Sequence, residues 1–177
     1  DYVKGTSVFK SCPEFEQAIL QSFFDVLLGD MDFSYESMLD IIRLITKLHP
    51  KSAVIAISEK SDPETVFECI RAGSCGYLLK DDATFGLKSA ISEVLNRGAP
   101  ISPAVARHLL RRLSVSNSDI RGQNIQPSLS LTKREFDVIR SFAAGMSTKG
   151  VSVQLGISEK TVPVHLRNIY RKLGTST

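Results

Sequence analysis

The sequence predicts two linked folding units: an α/β unit built on a parallel sheet, then a small all-α unit. Three observations carry this expectation. Short apolar runs alternate with amphipathic helical patterns through the first hundred residues. Those runs are apolar at consecutive positions, as strands covered on both faces are. Beyond residue 128 the strand-like runs stop, and helical periodicity with cap residues takes over.

The elements follow in chain order. Residues 2–9, YVKGTSVF, read as a strand. Residues 13–22 form a helix with Phe15, Ala18 and Ile19 on one face. FDVLLG, 24–29, is a short continuous apolar strand. The stretch 35–48 is helical, with Met38, Leu39, Ile41, Ile42, Ile45 and Leu48 at helical spacing. AVIAIS, 53–58, is the next strand. Asp62 then supplies an N-cap and Pro63 a first helical residue for a helix ending at Ala72-Gly73. GYLL, 76–79, is a fourth strand, and 83–97 a last helix closed by Gly98. Such alternation implies a parallel sheet covered by helices. PAVARHLLRRL follows as a helical run whose Arg107, Arg111 and Arg112 form a basic stripe, read as a solvated face or an interdomain contact. The run SVSNSDIRGQNIQPSLS is rich in Ser, Asn, Gln, Gly and Pro and reads as a linker. The expected division is therefore 1–113, a linker at 114–128, and 129–177.

In the last unit, Thr132-Lys133-Arg134-Glu135 is a capping box. It opens a helix with Val138, Ile139, Phe142 and Ala143 inward and a stop at Gly145. Ser147 caps a short second helix carrying Val151 and Leu155 and ending at Gly156. Ser158 caps a third, running to Leu173 with Gly174 behind it. Three helices joined by short Gly-containing turns describe a helix-turn-helix unit.

Composition narrows the function classes. The 177 residues are 42% hydrophobic and 23% charged, so a core can form and wholesale disorder is excluded. No run is long and apolar enough to span a membrane, and the first residues lack a secretory signal pattern. Cys12, Cys69 and Cys75 form neither an even framework nor a CxxC, which suits a reduced, cytoplasmic protein. His49, His108 and His165 have no metal-ligand spacing with them, so no metal site and no Cys–His catalysis is expected. Charge is unevenly spread. Residues 1–102 hold 10 Lys and Arg against 15 Asp and Glu, while residues 129–177 hold 8 against 3. The basic end is suited to a polyanion.

Two groups of residues carry chemistry. Asp30, Ser58 and Lys80 each follow or close an apolar strand, and sites in open parallel sheets lie at those carboxyl ends. A carboxylate can attack a phosphoryl group, and a hydroxyl and an ammonium can hold its oxygens. On the third C-terminal helix, Val162, Leu166, Ile169 and Leu173 share a core face. Lys160, Val164, Arg167, Asn168 and Arg171 point the other way. Arg can fork to guanine, Asn can pair with adenine, and Val can touch a thymine methyl in a major groove. Ser147, Thr148, Lys149, Ser158 and Thr161 sit near helix starts, where backbone phosphates bind.

FDVLLGD, AVIAIS and RAGSCGYLLKDD resemble the receiver domain of response regulators, in its NarL/FixJ branch. The resemblance implies a flavodoxin-like parallel sheet. It also implies that Asp30 is the phospho-acceptor, Ser58 the switch hydroxyl, Tyr77 the rotating aromatic and Lys80 the phosphate-pairing lysine. The family's first strand and its Mg²⁺-binding acidic pair are not in this chain, so no cofactor is expected unless such a pair precedes Asp1. MDFSYESM stands where the family has a Leu-Pro turn and glycines. LTKREFDVIRSFAAGMSTKGVSVQLGISEKTVPVHLRNIYRKLG resembles the LuxR/FixJ-type DNA-binding domain. That implies base-reading positions at Pro163, Val164 and Arg167, and phosphate-side positions at Lys149, Ser158, Thr161 and Lys172. Two substitutions depart from the pattern. Pro163, at about the fifth position of the helix, costs up to roughly 3 kcal/mol unless the helix start adjusts. Gly150 costs about 1 kcal/mol. The family's fourth, dimerising helix is absent from the chain.

The expected protein is thus a two-component transcription regulator whose receiver-like domain controls a helix-turn-helix effector. Its partners would be double-stranded DNA, a second copy of itself and a sensor histidine kinase, with no membrane partner. It would not be an enzyme beyond a phosphoryl-accepting step. Two alternatives stay open. One is a regulator independent of phosphorylation, governed by protein contacts or a ligand at the Asp30 edge. The other is a protein-interaction module whose DNA binding Pro163 has removed.

Overall fold

The computed structural model describes residues 5–96, 98–118 and 131–175. Strands β1 (Val26–Asp30), β2 (Ala53–Ser58) and β3 (Gly76–Leu79) form a parallel sheet in sequence order. Leu28 lies opposite Ile55, and Ile55 opposite Gly76. Alternation along the strands then sorts the side chains. Val54, Ala56 and Tyr77 face a large core shared with α2 (Tyr35–Leu48) and α3 (Pro63–Ala72). Ile55 and Leu78 face Ala90 and Val94 on α4 (Lys80–Leu95). Strands β2 and β3 are largely buried on both sides, whereas β1, at the sheet edge, is only partly covered and leaves Leu28 37% exposed.

Helix ends follow their chemistry. Asp62 accepts from the Thr65 N–H at 3.0 Å and starts α3. Gly73 closes that helix at φ +115°, a left-handed conformation natural to glycine. Helix α1 (Cys12–Gln21) packs on α2 through the fully buried Ile19.

Three expectations in this half change. Residues 5–9 form no strand. The ring of Phe9 instead packs 4.9 Å from Phe15 and 5.9 Å from Phe24, so a local aromatic cluster meets its apolar demand without strand pairing. Residues 2–4 lie outside the described residues. The last helix of the sheet region begins at Lys80 rather than 83 and ends at Leu95, because the chain turns helical directly after β3. The helix from Pro103, α5 (Pro103–Ser118), runs on through the first residues of the expected linker. Residues 119–128 of that linker lie outside the described residues, as does the side chain of Arg112.

The C-terminal helices are α6 (Lys133–Ala143), α7 (Thr148–Leu155) and α8 (Val162–Thr175). The capping box forms: the Thr132 N–H donates to Glu135 Oε2 at 2.7 Å, and the Glu135 N–H to Thr132 Oγ1 at 3.3 Å. Ser147 caps α7 by accepting from the Gly150 N–H, and Gly156 ends it at φ +62°. Val138, Ile139, Val151, Val162, Leu166 and Ile169 are all fully buried where these helices meet. Helix α8 starts at Val162, not Ser158, and continues past Gly174. Residues 158–161 form a turn instead, closed by the Thr161 N–H on the Ser158 carbonyl at 2.8 Å. Pro163 is therefore the second helical residue. Its missing N–H is one that a first turn leaves unpaired anyway.

The two halves pack together. The Arg107 guanidinium donates to the Ala143 carbonyl at 3.1 Å, and α8 rests against α3. Tyr170 of α8 is 4% exposed, and its hydroxyl donates to the Pro100 carbonyl at 3.4 Å.

Candidate functional site

The carboxyl ends of the three strands bring Asp30, Ser58 and Lys80 to one edge. Lys80 Nζ lies 3.2 Å from Asp30 Oδ2. It lies 3.0 Å from a second carboxylate, Asp32 Oδ2, and 3.7 Å from Glu59 Oε1. The Ser58 hydroxyl, on a residue 1% exposed, donates to Asp32 Oδ1 at 2.7 Å. The Glu59 N–H donates to Asp32 Oδ2, also at 2.7 Å. The Asp32 N–H in turn donates to Asp30 Oδ1 at 3.0 Å, fixing the turn that follows β1. Burial opposes the charge on Asp32, yet the Ser58 hydroxyl, the Glu59 amide and the Lys80 ammonium together hold its carboxyl below the usual carboxylate range. The same carboxylates, hydrogen-bonding to Lys80, push that ammonium's pKa up.

Tyr77 lies behind this edge. Its ring is fully buried, and its hydroxyl donates to the Lys60 carbonyl at 2.8 Å. The Lys60 N–H donates to Ser58 Oγ at 3.0 Å, so Ser58 and Tyr77 meet through one residue. Among the described residues no group of three His, Cys, Asp or Glu side chains could hold a metal ion. With an ammonium lying on both Asp30 and Asp32, these side chains do not fit a divalent cation. Burial also pushes the Cys69 thiol up to about 12 and the Cys75 thiol up to about 11, so neither is a ready nucleophile.

The second surface is on α8. Its core stripe is buried as the periodicity requires, with Leu173 1% exposed. On the opposite side Arg167 and Arg171 are exposed and Val164 is 39% exposed; Lys160, expected on the same helix, is exposed in the turn before it. Asn168 is half-buried and accepts from Arg171 Nη2 at 3.3 Å. Ser158 Oγ accepts from the Lys160 N–H at 3.3 Å, in the turn before the helix. Packing against α3 takes up the Tyr170 side of α8 and leaves the cationic side open to solvent. Thr148 and Lys149 form the start of α7, with Lys149 exposed.

The segment 129–177 matches the family described as bacterial regulatory proteins, luxR family. The chain is 32% identical over 154 residues to a nitrate/nitrite response regulator protein homolog of Haemophilus influenzae, covering 87% of this chain and 70% of that protein. It is 34% identical over 149 residues to the nitrate/nitrite response regulator protein NarP of Escherichia coli, covering 84% and 66% respectively. This chain belongs to the luxR-type response regulators.

The fold agrees. A structure of RcsB from Salmonella enterica serovar Typhimurium, bound to a promoter in the presence of the phosphomimetic BeF3-, aligns at TM-score 0.51 and 21% identity, over 96% of this chain and 78% of that one. Like its family, the protein is a two-component transcriptional regulator with a receiver-like sheet and a LuxR-type helix-turn-helix. No helix among the described residues is long and apolar enough to cross a membrane.

Within the regulator, Asp30, Ser58 and Lys80 come together as expected, and Tyr77 stands behind them. Lys172, expected on the phosphate side, forms a 2.7 Å ion pair with Glu135, a side chain only 5% exposed, and so ties α8 to α6. Sequence reasoning missed Asp32. It sits in the unusual MDFSYESM loop, and a second carboxylate two residues past the strand end was the available signal.

Proposed function

We propose that this response regulator reads duplex DNA with the outward face of α8, and that Asp30 is the side chain its upstream kinase phosphorylates. The open cationic side of α8 carries the first part. Arg167 and Arg171 project from a helix whose other side is locked in the core, and Lys160 is exposed in the turn just before it. Arg167 and Asn168 suit base edges, with Val164 suited to a thymine methyl. Lys149, Ser158 and Thr161 suit the flanking phosphates. Lys172, about a third exposed beside Glu135, stands with them on the phosphate side. Two copies on paired half-sites fit helix-turn-helix proteins generally.

The second part rests on the Asp30 edge. An Asp30 carboxylate oxygen would bond to phosphorus as the donor's own bond to phosphorus breaks, the donor leaving with the electron pair. Lys80, 3.2 Å from Asp30, would offset the added negative charge. Ser58 and Tyr77 would relay the change inward through Lys60.

A salt-titrated binding measurement on a duplex library tests the first part. Affinity should fall with salt by about 0.9 log units per log unit for each phosphate engaged. Arg167→Ala should lose about 1–3 kcal/mol on the preferred site and relax preference at that base pair. A library with no preferred site would refute the reader-helix assignment. Incubation with a radiolabelled phosphodonor tests the second: the wild-type chain should take up label, and Asp30→Ala should not.

A further inference from the structure

We propose that Asp32 is the resident occupant of the oxyanion pocket at the sheet edge, so that the pocket is filled by the chain's own carboxylate. Three donors converge on Asp32, and of these Lys80 is shared with Asp30, 3.2 Å away. The Ser58 hydroxyl reaches Oδ1 at 2.7 Å, and the Glu59 N–H reaches Oδ2 at 2.7 Å. Lys80 Nζ stands 3.0 Å from Oδ2. A hydroxyl, a backbone N–H and an ammonium directed at one pair of anionic oxygens is the donor set a phosphoryl group would need. Here both oxygens belong to a side chain two residues from the proposed acceptor. The turn after β1 delivers it, held by the Asp32 N–H on Asp30 Oδ1 at 3.0 Å.

The arrangement has a consequence for the switch. Ser58 is buried and drawn to Asp32, while its oxygen accepts from the Lys60 N–H. The Lys60 carbonyl holds the buried Tyr77 hydroxyl at 2.8 Å. The Asp32 carboxylate is therefore joined through Ser58 and Lys60 to the buried Tyr77 hydroxyl. An incoming oxyanion gains these donors only as Asp32 leaves. Asp32 acts as an internal competitor that sets the threshold of the site. This rests on reading the Asp30 edge as a phosphoryl site, and it concerns the pocket beside Asp30 rather than transfer to Asp30.

Inorganic phosphate is the probe, titrated into the full chain while the Glu59 and Lys60 backbone amides are followed by NMR. Vacating the pocket should raise its affinity by the inverse of the fraction of time it stands open, so Asp32→Ala should bind phosphate about tenfold or more tighter than wild type if that fraction is about a tenth or less. Glu59→Gln removes the same charge beside Lys80 without vacating the pocket, and should tighten binding far less. Adding Ser58→Ala to Asp32→Ala should abolish the gain. If Asp32→Ala does not fold, Asp32→Ser, whose shorter side chain also vacates the pocket, should give the same tightening. Equal gains in Asp32→Ala and Glu59→Gln, or no gain in Asp32→Ala, would overturn the proposal. No covalent step is involved, so failure of Asp30 to take up label does not alter what the phosphate titration shows, and the reverse also holds.

Discussion

Glu135 is 5% exposed and bound on three sides: by Lys172 at 2.7 Å, and by the amide and hydroxyl of Thr132 at 2.7 and 2.9 Å. Burial opposes its charge, but these partners hold its carboxyl below the ordinary value of 4.5. A carboxyl whose folded pKa lies below its unfolded one stabilises the fold above the unfolded value. That contribution is lost as pH falls through the folded one. Glu135→Gln should therefore flatten the fall of stability below pH 4.5, read by denaturant titrations across that range. Lys172→Ala strands a buried charge and should cost about 2–4 kcal/mol near neutral pH, and less in acid. That loss should be seen without DNA, which separates it from any part Lys172 plays at a phosphate. Gly73 offers a second test. A Cβ there would strike the Thr46 side chain, at a left-handed φ of +115°. Gly73→Ala should cost more than about 1 kcal/mol in thermal or chemical unfolding. The helix-ending role of Gly73 was legible in the sequence; the clash with Thr46 was not, because Thr46 is distant in the chain.

Helix starts decide the cost of the two residues that depart from the family's pattern. Pro163 counted as a burden while the helix was drawn from Ser158. With α8 beginning at Val162, Pro163 lies in the first turn, where it fits. Pro163→Ala should change stability by less than about 1 kcal/mol, measured by denaturant unfolding. A loss of about 3 kcal/mol would mean that the ring itself sets the start of α8. Gly150 is the third residue of α7, and a Cβ there would meet only Met146 Cβ and Ser147 Oγ, both at an ordinary 3.6 Å. Gly150→Ala should stabilise by about 0.5–1 kcal/mol, seen as a higher Tm. Elements with strong local codes were legible. The capping box at Thr132, the Asp62-Pro63 start and the apolar run AVIAIS all formed where read. The start of α8 was not legible, because Ser158 is a sound cap by type and only the turn through Thr161 shows that the helix waits.

At the scale of the molecule, the two halves share one apolar cluster running from Phe15 and Leu39 to Leu166 and Tyr170. Tyr170 joins α8 to the receiver-like half through its burial and the Pro100 carbonyl, which also accepts from the Tyr77 N–H at 3.2 Å. Truncating so large a buried side chain typically costs about 3–5 kcal/mol, and Tyr170→Ala should also split one unfolding transition into two in calorimetry. An unchanged single transition would show that Tyr170 is not what couples the halves.

By itself the sequence determined the parallel α/β class, the helix-turn-helix, and the residue types at the sheet edge and on the reading helix. Those are written in periodicity, caps and charge, which act over a few residues. Only the tertiary structure decided that the sheet-edge donors close on Asp32, that Lys172 is held by Glu135, and that Tyr170 is buried against the other half. Each of these joins residues far apart in the chain, or sets which of several nearby acceptors a donor takes. Local pattern carries no record of that choice, because it is made by packing and competing hydrogen bonds in the folded molecule.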